Sequence, residues 1–144
     1  MVKYAFENFN KETMARASGN NLTISLKKAS ETLREIKGKK VSAAISFLNQ
    51  VIEQKTPVAY RRYGAEMAHR KGKGIAAGGF PVKVAKEILK LINSASKNAS
   101  EQELGDKLFI ISASARKGNT RHHNGRNSGL MKATNVEVIV GVKE

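Results

Sequence analysis

The sequence predicts an α+β fold in which a three-helix layer covers a small three-stranded antiparallel sheet, with a long protruding basic β-hairpin. Apolar residues recur at three- and four-residue steps in three separate segments, as in amphipathic helices. Two strand-like apolar runs, 108–111 and 136–140, flank an interval (107–136) without any acidic side chain. Near the middle of this interval, Asn124-Gly125 favours a two-residue type I′ hairpin turn.

Composition points to a polyanionic partner. The chain has 144 residues, which fits a single domain spanning 1–144, and its 26 Lys and Arg exceed its 12 Asp and Glu to give a formal charge of +14. Such an excess favours nucleic acid as the partner, over the alternative of a soluble protein with a solvated basic surface. The chain has no cysteine, which excludes disulfides and thiolate metal sites. With no secretory segment in the first 20 residues and no 18-residue apolar run, we expect an intracellular protein without a membrane span.

The body of the domain is predicted over 20–106, after an N-terminal tail (1–19) that docks by its aromatic residues. Alternation over 22–26 predicts a short half-buried strand. The periodic segment 26–36 predicts a helix that ends at Gly38, where a left-handed residue is favoured. A second helix follows over 41–52 and closes before Pro57.

Residues 55–80 interrupt the helical pattern with a basic, glycine-rich loop. A loop of this length inside a compact domain is usually functional or disordered. The third helix begins after Pro81, which suits a first turn, and its apolar stripe runs from Val82 to Ile92. We expect this helix to fray over 93–98.

The segment 107–142 is predicted to be an extended hairpin. Folding about Asn124-Gly125 places residues whose numbers sum to 249 opposite each other, so that Ala113 faces Val136 and Ile111 faces Val138; Phe109 then faces Val140. Each arm would run about 17 residues, or roughly 55 Å. This exceeds a domain radius of about 15 Å, so the hairpin must protrude, and its outer half needs a partner to be stable.

Two clusters in the body are candidate phosphate contacts. Lys37, Lys39 and Lys40 surround Gly38, where they either complement the helix macrodipole or bind phosphate, and both roles are compatible. In the 55–80 loop, adjacent arginines offer planar forks to phosphate oxygens, Tyr60 or Tyr63 offers a ring to an unpaired base, and glycines allow close backbone approach. The loop residues concerned are Arg61, Arg62, Tyr63, His69, Arg70, Lys71 and Lys73. The alternatives are a disordered basic loop and a nucleotide-binding P-loop; the latter is rejected because 72–79 lacks the terminal Gly-Lys-Ser/Thr.

No catalytic or metal centre is predicted. His122 and His123 are neighbours on a strand and therefore point to opposite faces. The nearest carboxylates in sequence, Asp106 and Glu137, lie far down the arms, so a positioned base with an orienting partner is missing. We expect no cofactor, and we expect the imidazoles to stack or to contact phosphate.

Several stretches match a known family in order and spacing, from about residue 2 to the C-terminus. They are Ala15-Arg16-Ala17-Ser18-Gly19, Ser25-Leu26-Lys27-Lys28-Ala29, Ile36-Lys37-Gly38-Lys39-Lys40-Val41, Lys55 through Arg61-Arg62-Tyr63, Gly79-Phe80-Pro81-Val82-Lys83, Asn98-Ala99, Gly125-Arg126 and Val136-Glu137-Val138. On these residues the chain resembles the universal L-twenty-two family of large-subunit ribosomal proteins, in its archaeal and eukaryotic branch. The hairpin tip departs from the family pattern, which is usually richer in arginine and often contains proline.

The resemblance implies a non-enzymatic structural constituent of the cytoplasmic large ribosomal subunit, whose hairpin lines the nascent-peptide exit tunnel. The implied partners are large-subunit rRNA, neighbouring ribosomal proteins and, at the tip, the nascent polypeptide. The rRNA-binding residues are then the two body clusters together with Lys27, Lys28, Lys83, Arg116, Lys117 and Lys132. The tip comprises Arg121, His122, His123, Asn124, Gly125 and Arg126. The rival hypothesis is an architectural DNA-binding protein with basic β-arms; such arms usually carry an apolar or proline wedge, and both prolines lie outside the hairpin.

Overall fold

The architecture was examined in a computed structural model that describes residues 6–105, 107–126 and 128–142. It is an α+β fold, as predicted, with three helices against a three-stranded antiparallel sheet and a separate two-stranded ribbon. In chain order the elements are β1 Met14–Leu22, α1 Leu26–Ile36, α2 Val41–Ile52, β2 Val58–Ala59, β3 Gly78–Gly79, α3 Val82–Glu101, β4 Leu108–Lys117 and β5 Thr134–Val142.

The main sheet has the order β1-β5-β4, so that β5 is the central strand. The predictions of a strand at 22–26 and of a tail reaching residue 19 are wrong, because β1 occupies 14–22 and pairs with β5 from Met14↔Gly141 to Leu22↔Thr134. Residues 1–5 of the predicted tail lie outside the described residues. The inward residues of β1 are Ala15 and Ala17, whose small side chains give little hydrophobic alternation but allow α3 to pack closely. Ile24, the most buried residue of the predicted strand, lies in the connection to α1.

The hairpin register differs from the predicted one on both sides of an irregularity in β4, since the numbers of facing residues sum to 250 before it and to 251 after it. Before it, Phe109 pairs with Gly141, and after it, Ala113 pairs with Val138; the register shifts between Ile110 and Ser112. An extra residue in one strand reverses which side chains face the core. Leu108 and Ile110 are therefore buried ahead of the shift, whereas Ala113 and Ala115 pack on the core beyond it.

The hairpin tip also differs from the prediction. Regular pairing ends at Lys117↔Thr134, and beyond it the arms stay together through a His122↔Leu130 bridge and a His123 N–H to Gly129 carbonyl bond of 2.9 Å. The two-residue turn at Asn124-Gly125 is not formed, since only Gly125 of the pair has a positive φ (119°) and a type I′ turn needs two. The described residues of the tip loop are 124–126 and 128. We call residues 118–133 the distal hairpin; most of its described side chains are exposed.

The three predicted helices are confirmed, with one change of length. α1 and α2 have the predicted bounds, and Gly38 takes the expected left-handed φ of 81°. α3 does not fray at 93–98 but continues to Glu101, because Ala95 and Ala99 extend its buried stripe. The Asn98 side-chain amide also donates to the Arg16 carbonyl of β1 at 2.9 Å.

The loop at 55–80 is more ordered than expected. β2 pairs with β3 through Val58↔Gly79 and Ala59↔Gly78, and a His69↔Ala77 bridge extends the ribbon outward. Val58 and Tyr60 join the hydrophobic core. The β2–β3 pairing and the buried side chains therefore hold the base of the loop against the core, and the basic segment extends outward from it.

Candidate nucleic-acid interface

The first part of the candidate interface is the Arg61-Arg62-Tyr63 segment, which is held by a buried carboxylate. Glu31 on α1 is 2% exposed. Its Oε1 accepts the N–H groups of Arg62 at 2.7 Å and Tyr63 at 2.9 Å, and its Oε2 accepts that of Arg61 at 3.3 Å. Backbone bonds to a charged acceptor are stronger than neutral ones. This carboxylate therefore fixes the segment while both arginine side chains remain exposed.

The side chains of this segment form a small cation–aromatic group. The Arg62 guanidinium lies 5.5 Å and the Lys27 ammonium 5.7 Å from the centroid of the half-buried Tyr63 ring. Arg61 lies 3.8 Å from Glu35 in a long pair whose arginine is largely exposed, and such a pair contributes little. Tyr63 thus presents an accessible ring between two cations.

Tyr60 is a structural residue. It is 5% exposed, and burial, assisted by the charge of Glu31, raises the pKa of its phenol to about 12. The suggestion that Tyr60 offers its ring to a base is therefore wrong, because its side chain is covered by the core. Of the two tyrosines, Tyr63 alone keeps that role.

The second part of the interface is the outer end of the β2–β3 ribbon. The Arg70 N–H donates to the Ala76 carbonyl at 2.9 Å, and the Arg70 guanidinium lies 5.3 Å from the Phe80 ring centroid. His69, Lys71 and Lys73 are exposed. The four predicted residues, His69, Arg70, Lys71 and Lys73, thus lie at the outer end of an ordered ribbon.

The Lys37–Lys40 turn is docked on the edge of the main sheet. Ile110 of β4 accepts the Gly38 N–H at 2.8 Å and donates its own to the Lys39 carbonyl at 2.9 Å. The ammonium groups of Lys39 and Lys40 lie over the rings of Phe47 and Phe109 at 4.7 and 5.9 Å. The turn is rigid, and its three lysines are exposed.

The distal hairpin begins at a polar node that we call the neck. Asn21 has a positive φ of 52° and donates its N–H to Asn135 Oδ1 at 2.7 Å; its own Oδ1 accepts the Asn119 N–H at 2.9 Å. A Cβ on Gly118 would lie 2.7 Å from Asn21 Oδ1, so the neck requires glycine there. Arg116 and Lys117 are exposed just before the neck, and described tip residues 121–126 are exposed beyond it.

The structure brings some of the predicted cations together and separates others. One cleft is lined by Lys27, Lys28, Lys132, Arg62 and Tyr63, and an adjoining cleft by Lys28, Lys83 and Lys132. The Lys37–Lys40 turn lies instead against β4. Sequence reasoning missed Glu31 and the neck asparagines; the only available signal was the ease with which Asn adopts a left-handed conformation.

The described residues contain no group of three or more His, Cys, Asp and Glu side chains able to hold a metal ion. In the same part of the chain, no helix has both the length and the apolar character needed to cross a membrane.

Fold, basic clusters and hairpin together define a nucleic-acid-associated structural protein, and comparison with known proteins gives the family. The family model described as ribosomal protein L22p/L17e matches residues 17–139. Similar curated proteins include "Large ribosomal subunit protein uL22" of Methanococcus maripaludis strain C5, 40% identical over 96% of this chain and 92% of the relative. Proteins of the same name from Methanocaldococcus jannaschii and Methanococcoides burtonii are 45% and 37% identical, over 83% and 96% of this chain and 77% and 91% of the relatives.

The chain therefore belongs to the ribosomal protein L22p/L17e family, which confirms the resemblance drawn from its sequence. It is a structural ribosomal protein and not an enzyme. The family match also favours a ribosomal role over the rival architectural DNA-binding role.

Proposed function

We propose that the protein is a structural constituent of the cytoplasmic large ribosomal subunit, that its body binds large-subunit rRNA, and that its distal hairpin lines the nascent-peptide exit tunnel. In this role it abuts neighbouring ribosomal proteins, and its tip meets the nascent polypeptide. The family match supports the ribosomal role. The charges and the hairpin geometry support the finer parts.

The observation that carries rRNA binding is the fixed Arg61-Arg62-Tyr63 segment beside the lysines of α1. Glu31 holds the backbone of this segment, so that Arg62 and Tyr63 face the same cleft as Lys27 and Lys28. A preorganised set of cations loses little side-chain entropy when it binds phosphate, and its binding displaces condensed counterions. The result is a salt-sensitive affinity for a polynucleotide.

The exposure of the distal hairpin supports a partner there as well. Among the described residues beyond Lys117 the arms are joined by intermittent backbone bonds, and Leu130 and Met131 are 58% and 40% exposed. A two-stranded ribbon with little packing of its own is marginal in water. Insertion between rRNA segments would cover these apolar side chains and fix the tip.

The test of rRNA binding is the salt dependence of affinity in an Arg61→Ala/Arg62→Ala variant. Alanine keeps the backbone N–H groups, so the bonds to Glu31 persist while the two guanidinium groups, with their contacts to Tyr63 and Glu35, are removed. We expect weaker binding to large-subunit rRNA and a decrease of about one in the log–log salt slope for each lost contact.

The matched control is Lys86→Ala/Lys97→Ala, which removes the same charge from exposed positions of α3 outside the proposed interface. It should leave the salt slope close to that of the wild type. A slope unchanged in the arginine variant would remove this segment from the interface. Failure of the wild-type protein to co-sediment with large subunits in high salt would refute the ribosomal role itself.

A further inference from the structure

The two clefts beside α1 form one continuous groove, which we call the α1 groove. Its phosphate cleft, of about 390 Å³, lies between the starts of α1 and α3. Its aromatic cleft, of about 430 Å³, lies between α1 and the Arg61-Arg62-Tyr63 segment. The two clefts share a wall, which is formed by Ser25, Lys28 and Lys132.

The phosphate cleft is built for an anion. Lys28, Lys83 and Lys132 come from α1, α3 and the distal hairpin, and no carboxylate lines the cleft. Within the described residues, ion pairs join Lys55 to Glu53, Arg61 to Glu35 and Lys90 to Glu87, and none involves these three lysines. Three lysines thus line one cleft without an ion pair to any acidic side chain of the described residues.

Two of these lysines lie at helix starts, where positive charge is disfavoured. Lys28 and Lys83 lie in the first turns of helices that have no acidic residue in the first turn and no side-chain cap. The positive end of a helix dipole disfavours cations and favours anions. An arrangement that breaks this rule at two helices facing one cleft is typical of a functional site.

The aromatic cleft offers a stacking surface. Its wall is the half-buried Tyr63 ring with Lys27 and Arg62 over it, and Met67 adds an apolar side. The cleft has one carboxylate, Glu66, against four cations: Lys27, Lys28, Arg62 and Lys132. Cation-flanked aromatic rings stack on the faces of unpaired bases, whereas bases inside a duplex already stack on one another.

We propose that the α1 groove binds an unpaired segment of RNA, with backbone phosphates in the phosphate cleft and one base against Tyr63 in the aromatic cleft. This inference rests on the proposed rRNA-binding function and names the class of RNA that this part of the body selects. Because Lys132 belongs to the distal hairpin, the same RNA segment also ties the hairpin to the body.

The test compares two RNA duplexes without loops that differ only by a single bulged adenosine, using fluorescence anisotropy and the full-length protein. The wild type should prefer the bulged RNA by about tenfold, the order of magnitude of one base stacking on an aromatic ring. Tyr63→Ala should abolish the preference, and Tyr63→Phe, which keeps the ring, should retain it.

The phosphate cleft is tested by Lys28→Ala/Lys83→Ala, with Lys86→Ala/Lys97→Ala as the control of equal charge. The groove variant should bind the bulged RNA with a salt slope lower by about one and a half to two, while the control keeps most of the slope. Since all four lysines are exposed, loss of folding does not confound the comparison.

Three outcomes would overturn the inference: equal wild-type affinity for both RNAs, a bulge preference that survives in Tyr63→Ala, or competition by polyglutamate as strong as that by RNA. The last would make the groove an unselective anion patch. If rRNA binding still depends on Arg61 and Arg62, only the groove inference fails. If the protein binds no rRNA at all, the proposed function fails with it.

Discussion

Glu31 is a buried acidic residue in a protein whose formal charge is +14. Its carboxylate accepts hydrogen bonds from the backbone N–H groups of Arg61, Arg62 and Tyr63. These three bonds hold the loop in one conformation. Thr134 of β5 makes a comparable link elsewhere in the fold, since its buried hydroxyl donates to the Ile24 carbonyl at 2.8 Å. Single buried polar groups thus position the basic surface.

Glu31→Gln should destabilise the protein by about 1–3 kcal/mol, because an amide nitrogen replaces one acceptor oxygen and leaves backbone donors unsatisfied. Glu35→Gln on the same helix makes the same chemical change at a solvated pair and should cost no more than about 1 kcal/mol. Urea denaturation measures both, and amide exchange at 61–63 should rise only in the first variant. Equal losses of stability would show that Glu31 has no special role in holding the loop.

The residue-scale contacts were the least predictable from sequence. The helical stripe of α1 was visible because Ala29, Leu33 and Ile36 recur at helical spacing. Nothing in that stripe indicates that Glu31 turns inward, since its partners are backbone groups 30 to 32 residues away. The candidate cations were predictable as residue types, but their convergence on the α1 groove depends on tertiary packing.

At the scale of elements, prediction succeeded where the side chains show a strong periodicity. It failed where backbone geometry sets the position or the register of a strand. The three helices have large apolar stripes, and β5 is a continuous buried run. The position of β1 was predicted wrongly because its inward residues are alanines, and the change of register within β4 was missed because a bulge leaves little trace in composition. Separately, the distal arms pair about Arg126 rather than about Asn124-Gly125, as the His122↔Leu130 bridge shows.

The neck controls how the distal hairpin leaves the sheet. A methyl group in Gly118→Ala would meet Asn21 Oδ1 at 2.7 Å and Asn135 Oδ1 at 3.0 Å, breaking bonds that join β1, β5 and the outgoing arm. We expect about fivefold faster amide exchange at His123 and Met131, which corresponds to the loss of about 1 kcal/mol.

Gly129→Ala is the matched control, because a Cβ at Gly129 meets nothing within 4 Å. It lies in the same hairpin and makes the same substitution, so it should leave exchange at both amides unchanged or slower. Faster exchange in this control, or none in Gly118→Ala, would show that the neck does not hold the hairpin.

At the scale of the whole molecule, the body and the distal hairpin differ in packing and in the exposure of their charges. The core beneath the sheet gathers α1, α2, α3 and the inner strands, and it holds the basic clusters of the body in place. The distal hairpin has exposed cations and few contacts with that core. We therefore expect affinity for rRNA to belong mainly to the body and the tip to serve a separate surface.

This division predicts different consequences for changes at the two ends of the molecule. Replacing residues 121–126 by a glycine–serine linker of equal length removes two arginines, Arg121 and Arg126, and therefore at most two strong phosphate contacts. The affinity for large-subunit rRNA should fall by less than about tenfold, and the variant should still enter the subunit. Passage of nascent chains through such ribosomes should change, as measured by the yield of a stalling-prone reporter. The Arg61→Ala/Arg62→Ala protein provides the opposite case, with weakened rRNA affinity and an intact tip. Loss of subunit incorporation in the linker variant would mean that the tip is an assembly anchor rather than a surface for the emerging polypeptide.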